Sequence, residues 1–230
     1  LSDLVVVNTR LMADMVRDKT GKTAVVIGDP CEMMQAPPRF APRRPFRLLW
    51  FGHPLNLAYL NFVLPNLIDL TSEIPIALYI ATIPNPGLIQ ELAKITRQHQ
   101  PAFSATLIPW QSPKTTWRAL KECDMVIIPG DPSDPRKMGV SSNRLTESLW
   151  AGRFVVASPL DSYLEFSDTA WVGDDLISGI RWALAHPQEV LAHIAAAQER
   201  IAAKYSREVI ARQWLAAFQT AGKQVGGSSS

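Results

Sequence analysis

Residues 141–157 read SSNRLTESLWAGRFVVA and carry the strongest signal for the fold. The apolar run at 125–128 predicts a strand that stops at a proline, and the quoted stretch predicts a helix ending near Gly152 and a second strand at 154–157. A helix that starts at the carboxyl end of a parallel strand turns its free N–H groups and positive dipole end toward a crevice. Ligands bind in that crevice in open α/β sheets, so the pattern predicts a ligand site at the start of this helix.

Strands and helices alternate on both sides of this stretch. Strands are predicted at 46–51, 76–80, 103–108, 125–128 and 154–157, with a weak strand at 170–172. Helices are predicted at 57–70, 88–98 and 115–121, from Ser142, at 174–185, and from Pro187. This alternation is typical of an α/β fold with a doubly wound, parallel, Rossmann-like sheet, followed here by C-terminal helices.

Composition and periodicity divide the chain into five segments. Residues 1–29 hold two apolar strands and one helix, which is too little for an independent core, and we interpret them as the remnant of a preceding N-terminal domain. Five prolines in residues 30–45 predict an extended linker. The remaining segments are a main domain at 46–204, a last helix at 205–222 and a flexible tail at 223–230.

Bulk properties exclude several classes of protein. With 230 residues, a net charge of +2 and 47% hydrophobic residues, the chain resembles ordinary globular proteins, and its charge gives no argument for a nucleic-acid partner. Cys31 and Cys123 belong to no C-x-x-C pair, which favours a reduced, cytoplasmic setting. No His or Cys cluster has metal-ligand spacing, so no metal is expected. Neither a signal peptide nor a transmembrane segment is predicted, while peripheral membrane contact stays open.

A family resemblance rests on three stretches. The run 143–152, NRLTESLWAG, with its following strand resembles the donor-binding motif of the group-1 family of GT-B glycosyltransferases. In that motif a basic residue, a glutamate three positions on and a final Ala-Gly precede a Pro-Val-Val-Ala strand, and Arg153 and Phe154 stand here for the variable residue and the proline. Residues 205–214, YSREVIARQW, resemble the family's terminal cross-over helix, and Gly28-Asp29-Pro30 resembles the turn that leaves its first domain.

The resemblance implies an enzyme of glycan or polysaccharide biosynthesis. It would be a glycosyltransferase of the hexosyltransferase type, which transfers a sugar from a nucleoside diphosphate sugar to a glycan, lipid or protein acceptor without a metal or other cofactor. The chain would be its nucleotide-sugar-binding domain, incomplete without the N-terminal domain that supplies most of the acceptor site and any catalytic base. Two alternatives stay open: a nucleotide-sugar epimerase of the GT-B type, and a non-catalytic Rossmann-like protein-interaction module. The sequence holds no P-loop and no G-x-G-x-x-G, so a kinase or a dehydrogenase lacks support.

The candidate residues for the donor diphosphate lie at the start of the quoted helix and just before it. Ser141, Ser142 and Asn143 are either plain helix caps or residues whose N–H groups bind the diphosphate. Arg144 can bind a phosphate through two parallel hydrogen bonds. Lys137 adds a second charge if its loop folds inward.

Four further residues complete the expected nucleotide site. Glu147 is the expected ribose ligand because a carboxylate accepts from two hydroxyls at once, the alternative being a surface ion pair with Arg144. Gly52 and His53 follow the first strand of the main domain, where the resemblance places a loop facing the diphosphate; the alternative is a plain turn. Trp110 follows the third strand, where it either stacks on the base or packs in the protein.

The chain departs from the family pattern at two positions. The family carries an arginine and a lysine near the loop after the first strand, where this chain has Asn56 and Leu57, so one phosphate-binding charge is missing. Many retaining members have two glutamates eight positions apart in this region. The second matches Glu147, and the first falls at Gly139, so sugar recognition at that position is made by backbone or lost. A weaker signal is Asp161-Ser162-Tyr163, which we expect at the same sheet edge, near the donor or the acceptor.

Overall fold

The structure, a computed structural model, describes residues 4–226, with side chains through residue 222. It begins with a small two-stranded parallel sheet made of β1 (Val6–Val7) and β2 (Val25–Val26), joined by α1 (Arg10–Thr20). Ile27 leaves this sheet and packs in a small buried cluster with Ile210 and Ala217 of the last helix. The first segment therefore packs against the last helix, although the two are far apart in sequence.

The main domain is built on a sheet of six parallel strands. These are β3 (Phe46–Phe51), β4 (Ile76–Thr82), β5 (Phe103–Pro109), β6 (Met125–Ile128), β7 (Phe154–Ala157) and β8 (Trp171–Val172). Their order across the sheet is β5-β4-β3-β6-β7-β8, and every neighbouring pair is parallel. The chain thus winds outward in one direction from β3 and in the other from β6, so the topological switch point lies between these two strands.

Helices cover the sheet and extend beyond it. They are α2 (Leu57–Asp69), α3 (Pro86–His99), α4 (Pro113–Glu122), α5 (Asn143–Trp150), α6 (Leu176–Ala185), α7 (Pro187–Tyr205) and α8 (Arg207–Gly226). Short 3-10 helices occur at Pro54–Asn56, Leu70–Ser72, Pro135–Lys137 and Asp161–Phe166. Every residue of β6 and β7 is buried, as expected for central strands with apolar sequences and with structure on both faces.

The predicted fold class is confirmed, and most differences concern the bounds of elements. The strands at 46–51, 125–128 and 154–157 have the predicted limits. The last helix runs on to Gly226, past the predicted end at residue 222, so the expected tail begins within it; residues 227–230 lie outside the described part. Along this helix Ile210 and Ala217 are buried, whereas Trp214 and Phe218 are exposed.

The proline-rich linker forms neither helix nor strand and is fixed along α5. The Ala36 N–H donates to the Trp150 carbonyl at 3.1 Å, and the Arg39 N–H donates to the Gly152 carbonyl at 3.0 Å. Gln198 of α7 binds the same place, since its Nε2 donates to the Ala36 carbonyl at 2.8 Å and to the carbonyls at the end of α5. These contacts fix the carboxyl end of α5 between the linker and α7.

Arg153 joins the carboxyl ends of α4 and α5 inside the protein. It is 4% exposed. Its Nε donates to the Leu120 carbonyl at 2.7 Å and the Cys123 carbonyl at 3.1 Å. Its two terminal nitrogens donate to the carbonyls of Gly152 and Lys121, both at 3.0 Å. The last carbonyls of a helix lack intrahelical partners and form its negative end, so one guanidinium satisfies both helices.

Replacing Gly152 by alanine is expected to lower the free energy of unfolding by about 3 kcal/mol. Gly152 has φ +73°, a left-handed conformation that costs a residue with a Cβ about 1–2 kcal/mol. The added Cβ would also overlap the Pro37 carbonyl oxygen, so the linker would have to move. Urea unfolding measures the change.

The matched control is Gly21→Ala at the end of α1. Gly21 has φ +68°, but nothing lies within 4 Å of an added Cβ, so only the conformational cost of about 1 kcal/mol is expected. Equal losses in the two variants would contradict the role assigned to the linker contact.

Candidate functional site

The switch point between β3 and β6 brings two loops of the chain together. The first follows β3 and comprises Gly52, His53 and the 3-10 helix Pro54–Asn56. The second runs from the end of β6 to the start of α5 and contains the 3-10 helix Pro135–Lys137. Both loops leave the carboxyl ends of adjacent parallel strands, so their side chains face the same crevice.

Lys137 folds inward from the second loop and reaches the first. Its Nζ donates to Asn56 Oδ1 at 2.5 Å and lies 4.6 Å from the centre of the Tyr59 ring. The side chain is buried, and this burial, followed by the nearby charge of Arg144, lowers the pKa of the ammonium group. The inward fold on which the Lys137 hypothesis depended is thus present.

Arg144 crosses the same crevice from α5. Its Nη1 donates to the Phe51 carbonyl at 3.3 Å and would lie 3.2 Å from a Cβ added to Gly52. In the described part of the chain no ion pair joins Arg144 to Glu147, so the surface pair considered from the sequence does not form. The site therefore brings two cations to the loop after β3, where this chain lacks a charge that the family pattern has.

Tyr59 and Asp134 fix the loop that carries Lys137. The Tyr59 hydroxyl donates to Asp134 Oδ2, and Arg136 forms a salt bridge to the same carboxylate at 2.7 Å. The hydrogen bonds from Arg136 first, and from Tyr59 second, hold the pKa of the Asp134 carboxyl well below its usual range. The contact between Tyr59 and Asp134 could not be found from the sequence, because it joins residues 75 positions apart.

The start of α5 is tied to the first segment of the chain. The Asn143 Nδ2 donates to Asp29 Oδ2 at 3.1 Å, and the Asn8 Nδ2 donates to the same oxygen at 3.2 Å. Ser142 is the N-cap but makes no side-chain capping hydrogen bond, and Ser141 precedes it. The Ser142 side chain therefore does not cap the helix. Diphosphate binding by the N–H groups of residues 141–143 stays a prediction, and the Asp29 carboxylate lies beside these groups.

Glu147 lies in the second turn of α5, beside the linker. Its carboxyl is half-buried, and burial first, with the Glu32 charge second, raises its pKa to about 7. No side chain of residues 4–222 donates a hydrogen bond to it. A carboxylate kept desolvated and without a donor is costly, and such groups are concentrated at binding and catalytic sites.

His53 and Trp110 lie at the same sheet edge with different surroundings. His53 Nδ1 accepts from the Leu55 N–H at 3.3 Å, so it caps the 3-10 helix that follows, and its ring is exposed. Trp110 directly follows β5, and its side chain is 42% exposed, which leaves an indole face available at the rim rather than packed inside.

Gly139, the position of the family's other glutamate, is closed by α1. Thr9 Oγ1 donates to the Gly139 carbonyl at 3.3 Å, and a Cβ added to Gly139 would lie 2.5 Å from Met12 Cγ. Gly139 is itself buried. The first segment of the chain therefore fills the space in which a side chain at this position would act.

A cleft of about 490 Å³ opens beside the first turn of α5. It lies between the first segment, the 3-10 helix Asp161–Phe166 and the end of α7. Residues 141–143 line it, whereas Arg144 and Glu147 do not.

No group of three or more His, Cys, Asp or Glu suited to a metal ion occurs among the described residues. Within the same residues, no helix combines the length and the apolar character that a membrane span requires.

Comparison with known proteins confirms the expected fold. No protein-family model and no curated protein matches the chain. Among solved structures it is similar to a glycosyltransferase from Rickettsia africae ESF-5, with TM-score 0.72 and 11% identity over 96% of this chain and 64% of that one. It is also similar to a mutant of S. aureus TarM in complex with fondaparinux, alpha-GlcNAc-glycerol and UDP (TM-score 0.70, 14% identity, 94% and 44% covered).

A third similar structure is the pneumococcal O-GlcNAc transferase GtfA in complex with UDP and GlcNAc. The TM-score is 0.65 at 11% identity, over 94% of this chain and 45% of that one. The chain thus spans less than half the length of the TarM and GtfA chains. At these identities the likeness shows the fold, which is that of the GT-B glycosyltransferases.

Replacing Glu147 by glutamine is expected to raise the free energy of unfolding at pH 8. This gain is expected to exceed the gain at pH 5 by about 2 kcal/mol. The folded protein binds the Glu147 proton more tightly than the unfolded chain, because the pKa rises from 4.5 to about 7 on folding. The wild type therefore has its full stability below pH 4.5 and loses part of it as the pH rises through 7. Glutamine carries no charge and escapes this loss.

Urea unfolding at the two pH values measures the effect, with Glu199→Gln on the exposed face of α7 as the control. A stability change in Glu147→Gln that is the same at both pH values would contradict the prediction.

Proposed function

We propose that this chain is the donor-binding domain of a GT-B glycosyltransferase and that its ligand is a nucleoside diphosphate sugar. The observation that carries the proposal is the pair Lys137 and Arg144. These two cations meet at the switch point of the sheet, and neither has a salt bridge to a carboxylate within the described residues. Asp134, the acid whose charge acts on Lys137, is already engaged by Arg136 and Tyr59.

The energetics of this pair favour an anionic ligand. The charge of Arg144 lowers the pKa of Lys137, which means that the two cations repel each other in the free protein. A diphosphate between them would relieve this repulsion and receive bidentate hydrogen bonds from the guanidinium. The same charges would stabilise the negative charge that grows on the leaving diphosphate as the sugar bond breaks.

The order of the strands supports a place for the nucleoside of the donor. Neighbouring strands lie about 4.8 Å apart, so the end of β5 is about 10 Å from the end of β3, in the direction of Trp110. An exposed indole at that position can stack on a nucleobase while the diphosphate occupies the switch point. Glu147 enters the proposal as the ribose ligand because it is a carboxylate without a hydrogen-bond donor, three residues from Arg144. Gly52 and His53 form the floor of the diphosphate site in this arrangement.

The acceptor and any catalytic base are assigned to parts of a longer enzyme. The TarM and GtfA structures that contain UDP are more than twice as long as this chain, and their likeness supports a UDP-sugar or a related donor. We propose a hexosyl donor, a glycan, lipid or protein acceptor, and no metal. A cytoplasmic setting is part of the proposal, since both cysteines are free and buried.

The test is calorimetry with UDP, GDP and ADP. The wild type is expected to bind one of them, and Lys137→Met is expected to weaken this binding at least tenfold, which corresponds to about 1.4 kcal/mol. Methionine keeps most of the side-chain volume and removes a buried, repelled charge, so the variant is expected to unfold at an equal or higher urea concentration. That result separates lost binding from lost structure.

The matched control is Lys94→Met, an exposed lysine of α3, which is expected to leave nucleotide affinity unchanged. If none of the three nucleotides binds the wild type, the proposal fails and an interaction module becomes the better explanation. Conversion of a nucleotide sugar without any acceptor would instead identify an epimerase.

A further inference from the structure

The loop that carries Lys137 into the crevice is held by one side chain at two points. Tyr59, in the first turn of α2, is 6% exposed. Its ring lies against the Lys137 ammonium, with 4.6 Å between Nζ and the ring centre, and its hydroxyl donates to Asp134 Oδ2. Both partners belong to the same loop, three positions apart, so Tyr59 fixes the loop together with the cation that it carries.

The hydroxyl of Tyr59 makes a charge-assisted hydrogen bond. A bond of this kind to an ionised carboxylate is roughly twice as strong as a bond between neutral groups. Arg136 satisfies the same carboxylate from the solvent side, since its side chain is 77% exposed and its Nη2 lies 2.7 Å from Asp134 Oδ2. The hydrogen bond to Asp134 also raises the pKa of Tyr59, so the phenol stays a donor at neutral pH. Asp134 is thereby engaged, and within the described residues it forms no salt bridge to Lys137.

The two groups that contact the Lys137 ammonium from the other wall are uncharged. Besides the ring of Tyr59, Asn56 contributes its Oδ1, which accepts from Nζ at 2.5 Å. These two residues are three positions apart where a 3-10 helix meets α2, so they can present a common face to the loop. An amide oxygen and an aromatic face orient an ammonium group without neutralising it. A carboxylate in either place would form a salt bridge and compete with an anionic ligand.

An ammonium held in this way keeps hydrogen-bonding capacity for a ligand. It has three N–H donors, and Asn56 accepts from one of them. The stem of a lysine is flexible, and a ligand that has to order it loses affinity to the rotamer freedom that is removed. Here the stem is already buried and directed to the loop after β3, which also receives Arg144. The free protein therefore holds Lys137 in place before any ligand binds.

We infer that Tyr59 is a positioning residue for the diphosphate site and that its hydroxyl and its ring together hold the Lys137 ammonium where a phosphate can reach it. The inference rests on the proposed function and extends it from residues that touch the ligand to one that acts through another. Tyr59 is buried, so its effect on affinity has to pass through the cation. Its contribution should therefore exist only while Lys137 is present.

The test is a double-mutant cycle on Tyr59 and Lys137, measured by calorimetry with UDP, GDP, ADP and inorganic pyrophosphate. Tyr59→Phe keeps the ring and removes the hydroxyl, and it is expected to weaken binding at least fivefold. Lys137→Met is expected to weaken binding at least tenfold. In the double variant, Tyr59→Phe is expected to add less than a twofold loss, because no ammonium is left to position.

Urea unfolding separates positioning from a merely structural role. Tyr59→Phe removes a hydrogen bond to Asp134 that does not involve Lys137, so its effect on unfolding is expected to persist in the Lys137→Met variant, whereas its effect on affinity disappears there. The matched control is Tyr79→Phe in β4. Tyr79 is partly buried, and its hydroxyl makes no hydrogen bond within residues 4–222. The control is expected to bind every probe within twofold of the wild type.

Tyr59→Leu extends the test to the ring. Leucine is apolar and fits a buried helix position, but it removes the contact with the ammonium as well as the hydroxyl. Its affinity is expected to be at least threefold lower than that of Tyr59→Phe while Lys137 is present. Equal affinity of the two variants would overturn the part assigned to the ring.

Coupled losses with a nucleotide support both the inference and the proposed function. Coupled losses with pyrophosphate alone support the inference while the proposed function fails. The inference is overturned, and nucleotide binding stands, if Lys137→Met leaves the affinity unchanged, if Tyr59→Phe weakens it less than fivefold, or if Tyr59→Phe costs twofold or more without Lys137. If neither a nucleotide nor pyrophosphate binds the wild type, both are overturned.

Discussion

The position of α5 is the constraint on which the rest of the site depends. This helix has only eight residues, too few to be stable alone, and both of its ends are fixed by residues distant in sequence. Asp29 ties Asn143 at the amino end, where a carboxylate also meets the positive end of the helix dipole. At the carboxyl end the linker packs against Gly152, and the guanidinium of Arg153 satisfies carbonyls of two helices. Arg144 is placed in the crevice only because this helix cannot rotate or slide.

The second constraint is electrostatic: two cations and one carboxylate of the site lie without partners of opposite charge. Lys137 and Arg144 are together without a carboxylate salt bridge, while Glu147 lies on the same helix without a cation. A fold selected for stability alone would pair these groups, since an unpaired, desolvated charge costs free energy. The Asp134, Arg136 and Tyr59 network shows that the same region can form a fully paired cluster. The separation of the remaining charges is therefore best explained by ligands that complete them.

The fold could be predicted from the sequence because short, continuous stretches of the chain indicate its strands and helices. Apolar runs such as 125–128 and 154–157 fix the strands, and alternation with amphipathic helices fixes a parallel sheet. The candidate site was predictable where it lies in one continuous stretch, as with Arg144, and where a loop had one charged residue to offer, as with Lys137. The contacts of Asp29 with Asn8 and Asn143 and the path of the linker along α5 were not predictable. They join residues up to 114 positions apart, and no periodicity or spacing encodes such pairs.

Two departures from the family pattern are connected by these long-range contacts. In the sequence, the missing charge near Asn56 and the missing glutamate at Gly139 look like independent losses. In the folded chain Lys137 places its ammonium on Asn56, so a cation reaches the required side of the crevice from the opposite wall. The same loop then continues to Gly139, where a side chain would collide with Met12. One loop thus supplies the charge and gives up the glutamate, and packing of α1 against its end keeps it folded inward. Both departures thus concern one loop, which carries Lys137 to Asn56 and then passes Gly139 against Met12 of α1.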